Sequence, residues 1–79
     1  MQAYDDARKR LSESVKKARR QVGLSQEALA LRAGINRSYV GQIERGIGNP
    51  SLQVMVKLAA TLEMDVADLL KREREDRRR

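Results

Sequence analysis

The stretch Gln26–Arg45, QEALALRAGINRSYVGQIER, decides the fold. Ser25 stands just before it as an N-cap residue type, and Glu27 places a carboxylate in the first turn that follows. QEALALRA therefore predicts a helix, closed by Gly34 as a C-cap residue. A second helix, RSYVGQIER, starts from Asn36 as its N-cap and stops at Gly46. Two short helices joined by a tight glycine-containing turn have the geometry of a helix-turn-helix unit. Such helices cross closely, so residue size matters. Ala30 is small where they meet, and Gly34 supplies the positive φ of the turn. Val40 and Ile43, three apart on one face, hold the second helix to the core. The opposite face carries Arg37, Ser38, Gly41 and Gln42, with Asn36 and Arg45 at its ends.

Working outward, Leu11, Val15, Ala18 and Val22 make one apolar stripe beside a basic face, which predicts a first helix ending at Gly23. Ile47-Gly48-Asn49-Pro50 reads as a loop, with Pro50 at the first position of a fourth helix. In that helix, LQVMVKLAATLEM, the buried stripe is Met55, Leu58, Ala59 and Leu62. Asp65 and Asp68 bracket the start of a fifth helix that carries Val66, Leu69 and Leu70. Proline occurs once and β-branched residues do not cluster, so strands have no support. The expected fold is all-α: a compact five-helix domain over residues 11–70, with the motif at 26–45. Residues 1–10 are a lead-in or an extension of helix one, and KREREDRRR at 71–79 is a charged tail.

At 79 residues there is room for one domain. Cysteine and histidine are absent, which removes disulfides, thiolate metal sites, the usual zinc ligand and the usual general base. No nucleophile–base set can be assembled, so no enzyme, metal or cofactor is expected. The only aromatic residues are Tyr4 and Tyr39, too few for a surface of stacked rings that grips single-stranded nucleic acid. Seventeen Lys and Arg against eleven Asp and Glu leave a net charge of +6, the balance of a polyanion binder. The surplus lies in residues 1–22 and 71–79, whereas 23–50 is nearly neutral and 51–70 is net acidic. A polyanion-binding face must therefore come from the placement of a few cations. No apolar run is long enough for a membrane span, and MQAYDDARKR lacks the apolar stretch of a signal peptide. A cytoplasmic, nucleoid-associated protein is expected.

Gln26, Ala30, Gly34, Val40 and Ile43, together with Glu44-Arg45-Gly46 and Asn49-Pro50-Ser51-Leu52, resemble the helix-turn-helix of the lambdoid Cro and repressor family. The likeness covers roughly residues 11–70. Within the family, NRSYVGQIERG is also similar to the controller proteins of restriction–modification systems. The resemblance implies a lambda-repressor-like domain and a sequence-specific regulator that binds a palindromic operator in double-stranded DNA as a homodimer. An autoregulating controller is the narrower form. It also implies that Arg37, Ser38 and Gln42 face base edges. The chemistry agrees, since Arg pairs bidentately with guanine O6 and N7, and Gln with adenine N6 and N7. Gln26 matches a phosphate contact, and Arg45 is a further phosphate candidate.

Several of these residues carry a second reading. Asn36 serves mainly as an N-cap. Tyr39 either covers the edge of helix one or points its hydroxyl toward phosphate. Gly41 either allows close approach to DNA or reflects surface drift. By the same resemblance Arg19 and Glu44 form a structural ion pair linking helix one to helix three. Met64, Leu69 and Leu70 are candidates for the dimer interface. Gly48 departs from the pattern, because many relatives carry a basic residue before the Asn-Pro pair. An antitoxin-like adaptor that also binds a partner protein is the alternative function. With few residues outside the domain, a small-molecule effector is not expected.

Overall fold

The structure, a computed structural model, describes residues 2–71. Five helices follow one another: α1 (Gln2–Gln21), α2 (Gln26–Ala33), α3 (Arg37–Glu44), α4 (Leu52–Thr61) and α5 (Val66–Leu69). The described residues contain no strand, and the fold is all-α. Residues 2–10 form the first half of α1. The region assigned to a charged tail lies outside the described residues beyond Lys71.

Every helix contributes to one core. Leu11 and Val15 enter from α1, Leu29, Ala30 and Ala33 from α2, Val40 and Ile43 from α3, Leu58 and Ala59 from α4, and Leu69 from α5. Leu62, at the end of α4, completes it. Packing among the helices is tightest between α2 and α3 and between α1 and α3, so the third helix is gripped from two sides. At the far end, Arg10 Nε donates to the Leu70 carbonyl at 2.8 Å and ties α1 to the exit of α5. Met55 is only half-buried and packs against the rim of the core.

Several helix boundaries differ from the sequence expectation, α3 ending at Glu44 and α4 at Thr61 rather than Met64 among them; at the end of α1 and the start of α4, hydrogen bonding decides. Val22 lies beyond α1 and is 52% exposed. The Gly23 N–H donates to the Arg20 carbonyl and the Leu24 N–H to the Arg19 carbonyl, the paired bonds of a Schellman closure. That closure swings Leu24, not Val22, against the core. Pro50 does not begin α4. Ser51 is the N-cap, its hydroxyl accepting from the Val54 N–H at 3.1 Å, and Pro50 precedes it. Where a capping hydroxyl follows the proline, satisfying an orphan N–H outweighs the pre-set φ of the ring.

Leu69 also requires correction. Its side chain is 0% exposed inside the protomer, so it is core and has no surface to offer a second copy. Met64 and Leu70 are half-buried against the same core.

Candidate nucleic-acid interface

The unit formed by α2, the turn and α3 is fixed at each corner by a local device. Ser25 caps α2 by accepting from the Ala28 N–H at 3.0 Å. Gly34 closes α2 in the left-handed region at φ 73°, where a Cβ would clash with the neighbouring carbonyl. The Ile35 N–H then reaches back to the Ala30 carbonyl at 2.9 Å, and Ile35 packs on the core. Asn36 starts α3, its side-chain oxygen accepting from the Ser38 N–H at 2.7 Å. Ala30, Val40 and Ile43 are at most 3% exposed, which places them at the contact between the helices and the core.

The other face of α3 is open. Arg37, Ser38, Gln42 and Arg45 are exposed, and Gly41 lies half-buried between them. These positions share one side of the helix, as residues three and four apart must. Ridge and core are thus separated by half a turn. Tyr39 sits on the flank, half-buried against the core, with its hydroxyl donating to the Asn49 carbonyl at 3.4 Å. The loop after α3 is held close: the Gly48 N–H donates to the Gln42 carbonyl at 3.1 Å. A Cβ at Gly48 would approach the Ile43 side chain to 3.1 Å and its backbone nitrogen to 3.2 Å, so any side chain at this position needs the loop or Ile43 to give by a few tenths of an ångström.

Beneath the open face lies Glu44, a carboxylate only 4% exposed. Arg19 of α1 binds it through two bonds, Nε to Oε2 at 2.6 Å and Nη2 to Oε1 at 3.0 Å. Gln26 of α2 donates through Nε2 to the same Oε1 at 3.0 Å. Arg19 Nη1 also donates to the Leu24 carbonyl at 2.8 Å, and the Ser12 hydroxyl donates to the Glu44 carbonyl at 2.6 Å. Side chains of α1 and α2 therefore converge on one residue at the end of α3, and Arg19 ties in the turn between them. Burial pushes the Glu44 carboxyl up, but the bonds from Arg19 and Gln26 and the charges of Arg19 and Lys16 outweigh it, leaving it below the usual carboxylate range. Its hydrogen bond to Glu44 holds the Arg19 guanidinium above its ordinary value, despite burial.

Sequence reasoning did not find Ser12 or the inward bond of Gln26. Ser12 lies three residues before Val15 and seven before Arg19, so it shares their face of α1, and that spacing was a usable signal. Gln26 gives no such signal, because one amide can serve solvent, a phosphate or a neighbour equally well. Among the described residues no cluster of acidic side chains is arranged to hold a metal ion, and no helix is long and apolar enough to cross a membrane.

The model of the helix-turn-helix family HTH_3 matches residues 15–69. The chain is 38% identical over 70 residues to the control protein C.SmaI of Serratia marcescens, covering 89% of this chain and 83% of that protein. The crystal structure of the restriction–modification controller protein C.AhdI from Aeromonas hydrophila superposes with a TM-score of 0.75 at 40% identity, covering 78% of this chain and 94% of that one. SinR, a master regulator for biofilm formation, crystallised in complex with DNA, superposes at 0.74 with 37% identity, covering 77% of this chain and 98% of that one. Other relatives are longer: the chain spans 34% of the transcriptional regulator SlrR of Bacillus subtilis, at 42% identity over 52 residues and 65% of this chain.

Proposed function

This chain belongs to the HTH_3 helix-turn-helix family, and from that premise we propose that it is a sequence-specific regulator of transcription that reads double-stranded DNA with α3. The observation that carries the reading is the division of α3 into two faces. Its outward side is polar and exposed at Arg37, Ser38, Gln42 and Arg45, while its inward side is locked to α1 and α2 through Glu44. A helix held at a fixed angle with a polar outer face fits the major groove of B-DNA. In this reading Arg37 pairs with a guanine, Gln42 with an adenine, and Ser38 lies beside them. Gln26, Asn36, Tyr39 and Arg45 border the DNA backbone. Gln26 has one N–H committed to Glu44, so its second N–H and its oxygen are what remain for a phosphate or a bridging water.

Likeness to C.SmaI and C.AhdI supports the narrower proposal of a controller protein; in that proposal it binds a palindromic site as a homodimer and regulates its own expression. Met64 and Leu70 remain the interface candidates. Selection from a random-sequence duplex pool, followed by gel shift at several salt concentrations, tests the function. A two-half-site consensus is expected, with binding far above that to unrelated DNA. Enrichment of no sequence would sink the proposal, since non-specific electrostatic binding alone is salt-dependent but indifferent to sequence.

A further inference from the structure

Of the five glycines, four have a reason internal to the fold. Gly23, Gly34 and Gly46 take positive φ, and Gly48 is crowded against Ile43. Gly41 has neither reason. It lies inside the eight-residue α3, where a Cβ would meet only Gln26 Oε1 at 3.8 Å and Arg45 Nη1 at 3.9 Å. Both are ordinary contacts, and both atoms end flexible side chains. Alanine would fit without strain, and it would also strengthen the helix, because glycine loses more backbone freedom on folding than any other residue. The fold of the protomer thus supplies no reason for a bare backbone at this position.

Gly41 is one turn from Arg37 and one turn from Arg45 on the outward face, with Ser38 and Gln42 beside it. The space a Cβ would take lies between the side-chain ends of Gln26 of α2 and Arg45. We propose that Gly41 is a specificity-determining position, where the α3 backbone rests directly against a base-pair edge. This inference rests on the DNA-reading function proposed above. Bidentate bonds from Arg37 and Gln42 require donor–acceptor distances of about 2.7–3.2 Å. A methyl group at the centre of the contact lifts the helix away and loosens both bonds together. Phosphate attraction acts over longer distances and survives the displacement.

The test uses the full chain and the operator selected by the unaltered protein from a random duplex pool. Melting temperature and affinity for that operator and for an unrelated duplex are measured at one salt concentration for G41A and G41V. G41A is expected to melt roughly 4–8 °C higher and to bind the operator at least tenfold more weakly. Its affinity for unrelated DNA stays unchanged, and G41V loses more operator affinity than G41A. Operator affinity of G41A within twofold of the unaltered protein overturns the inference while leaving the regulator reading intact. A lowered melting temperature with equal losses on both duplexes also overturns it, by showing that the fold itself needs the glycine. Failure of the unaltered protein to enrich any sequence overturns the regulator reading and this inference with it.

Discussion

Glu44 shows how much a single buried carboxylate can organise. It accepts from Arg19 and Gln26 and sits over the Ser12 hydroxyl through its own carbonyl. Removing one member of a buried pair strands the other, so Glu44→Ala should cost about 3–5 kcal/mol, a large part of the stability of a domain this small. Thermal unfolding followed by circular dichroism measures it, and an unchanged midpoint would contradict the account. The carboxyl is depressed in the folded protein, so the unfolded chain binds more protons in acid. The stability it supplies is present above the ordinary carboxylate range and is lost as pH falls through its folded value. Glu44→Gln should therefore flatten the acid limb of a stability–pH profile. On the outer face the expectations differ. Arg37→Ala should cost about 1–3 kcal/mol of operator binding and relax preference at one position in each half-site, read from a mutated-operator panel. Gln26→Ala should weaken every sequence about equally, and it should also lower the melting temperature, because its bond to Glu44 goes with it.

At the scale of elements, the helices end by one repeated device. α1, α2 and α3 close with the glycines at 23, 34 and 46, each with the next residue's N–H bonded back five residues. After α4 the same bonds form, Glu63 to the Ala60 carbonyl and Met64 to the Ala59 carbonyl, but Glu63 occupies the left-handed position at φ 61°. A side chain there costs about 1–2 kcal/mol, which glycine avoids in part. Glu63→Gly, an exposed change, should raise the melting midpoint by a few degrees, and a fall would show that the carboxylate itself supports the turn. The same ends mark what was legible in the sequence. The helix count, the motif and most of the core followed from periodicity and glycine placement. Val22 was misplaced because periodicity carries no knowledge of where a Schellman bond bends the chain inward. Pro50 was misplaced because Ser51 competed for the start of α4 with a capping hydroxyl. Leu69 has the composition of an interface residue, and only the packing of α5 shows that the protomer itself buries it.

The dimensions of the whole molecule bear on how two copies would share a duplex. Its extents are 35 × 28 × 19 Å, and the repeat between successive major grooves on one face of B-DNA is roughly 34 Å. In the proposed homodimer a two-fold axis would relate the two α3 helices, and reading successive major grooves requires them to lie one helical turn apart. Inserting half a turn, about 5 base pairs, between half-sites should therefore abolish tight binding, and a full-turn insertion should restore part of it. Gel shifts on spaced duplexes read this directly, and indifference to spacing would exclude a rigid dimer. Sedimentation at micromolar concentration should report twice the chain mass, and a monomer at all concentrations would exclude the homodimer.

The inward and outward residues of α3 are disjoint sets. Val40, Ile43 and Glu44 anchor the helix, while Arg37, Ser38 and Gln42 lie in solvent and leave the core untouched. Mutation can therefore rewrite the outward letters one at a time while each intermediate still folds. If the outward face reads DNA as proposed, a lineage built on this scaffold is free to drift toward new target sequences at little risk to its fold. For the engineer, the same separation would let the outward face of α3 be exchanged without redesigning the interior.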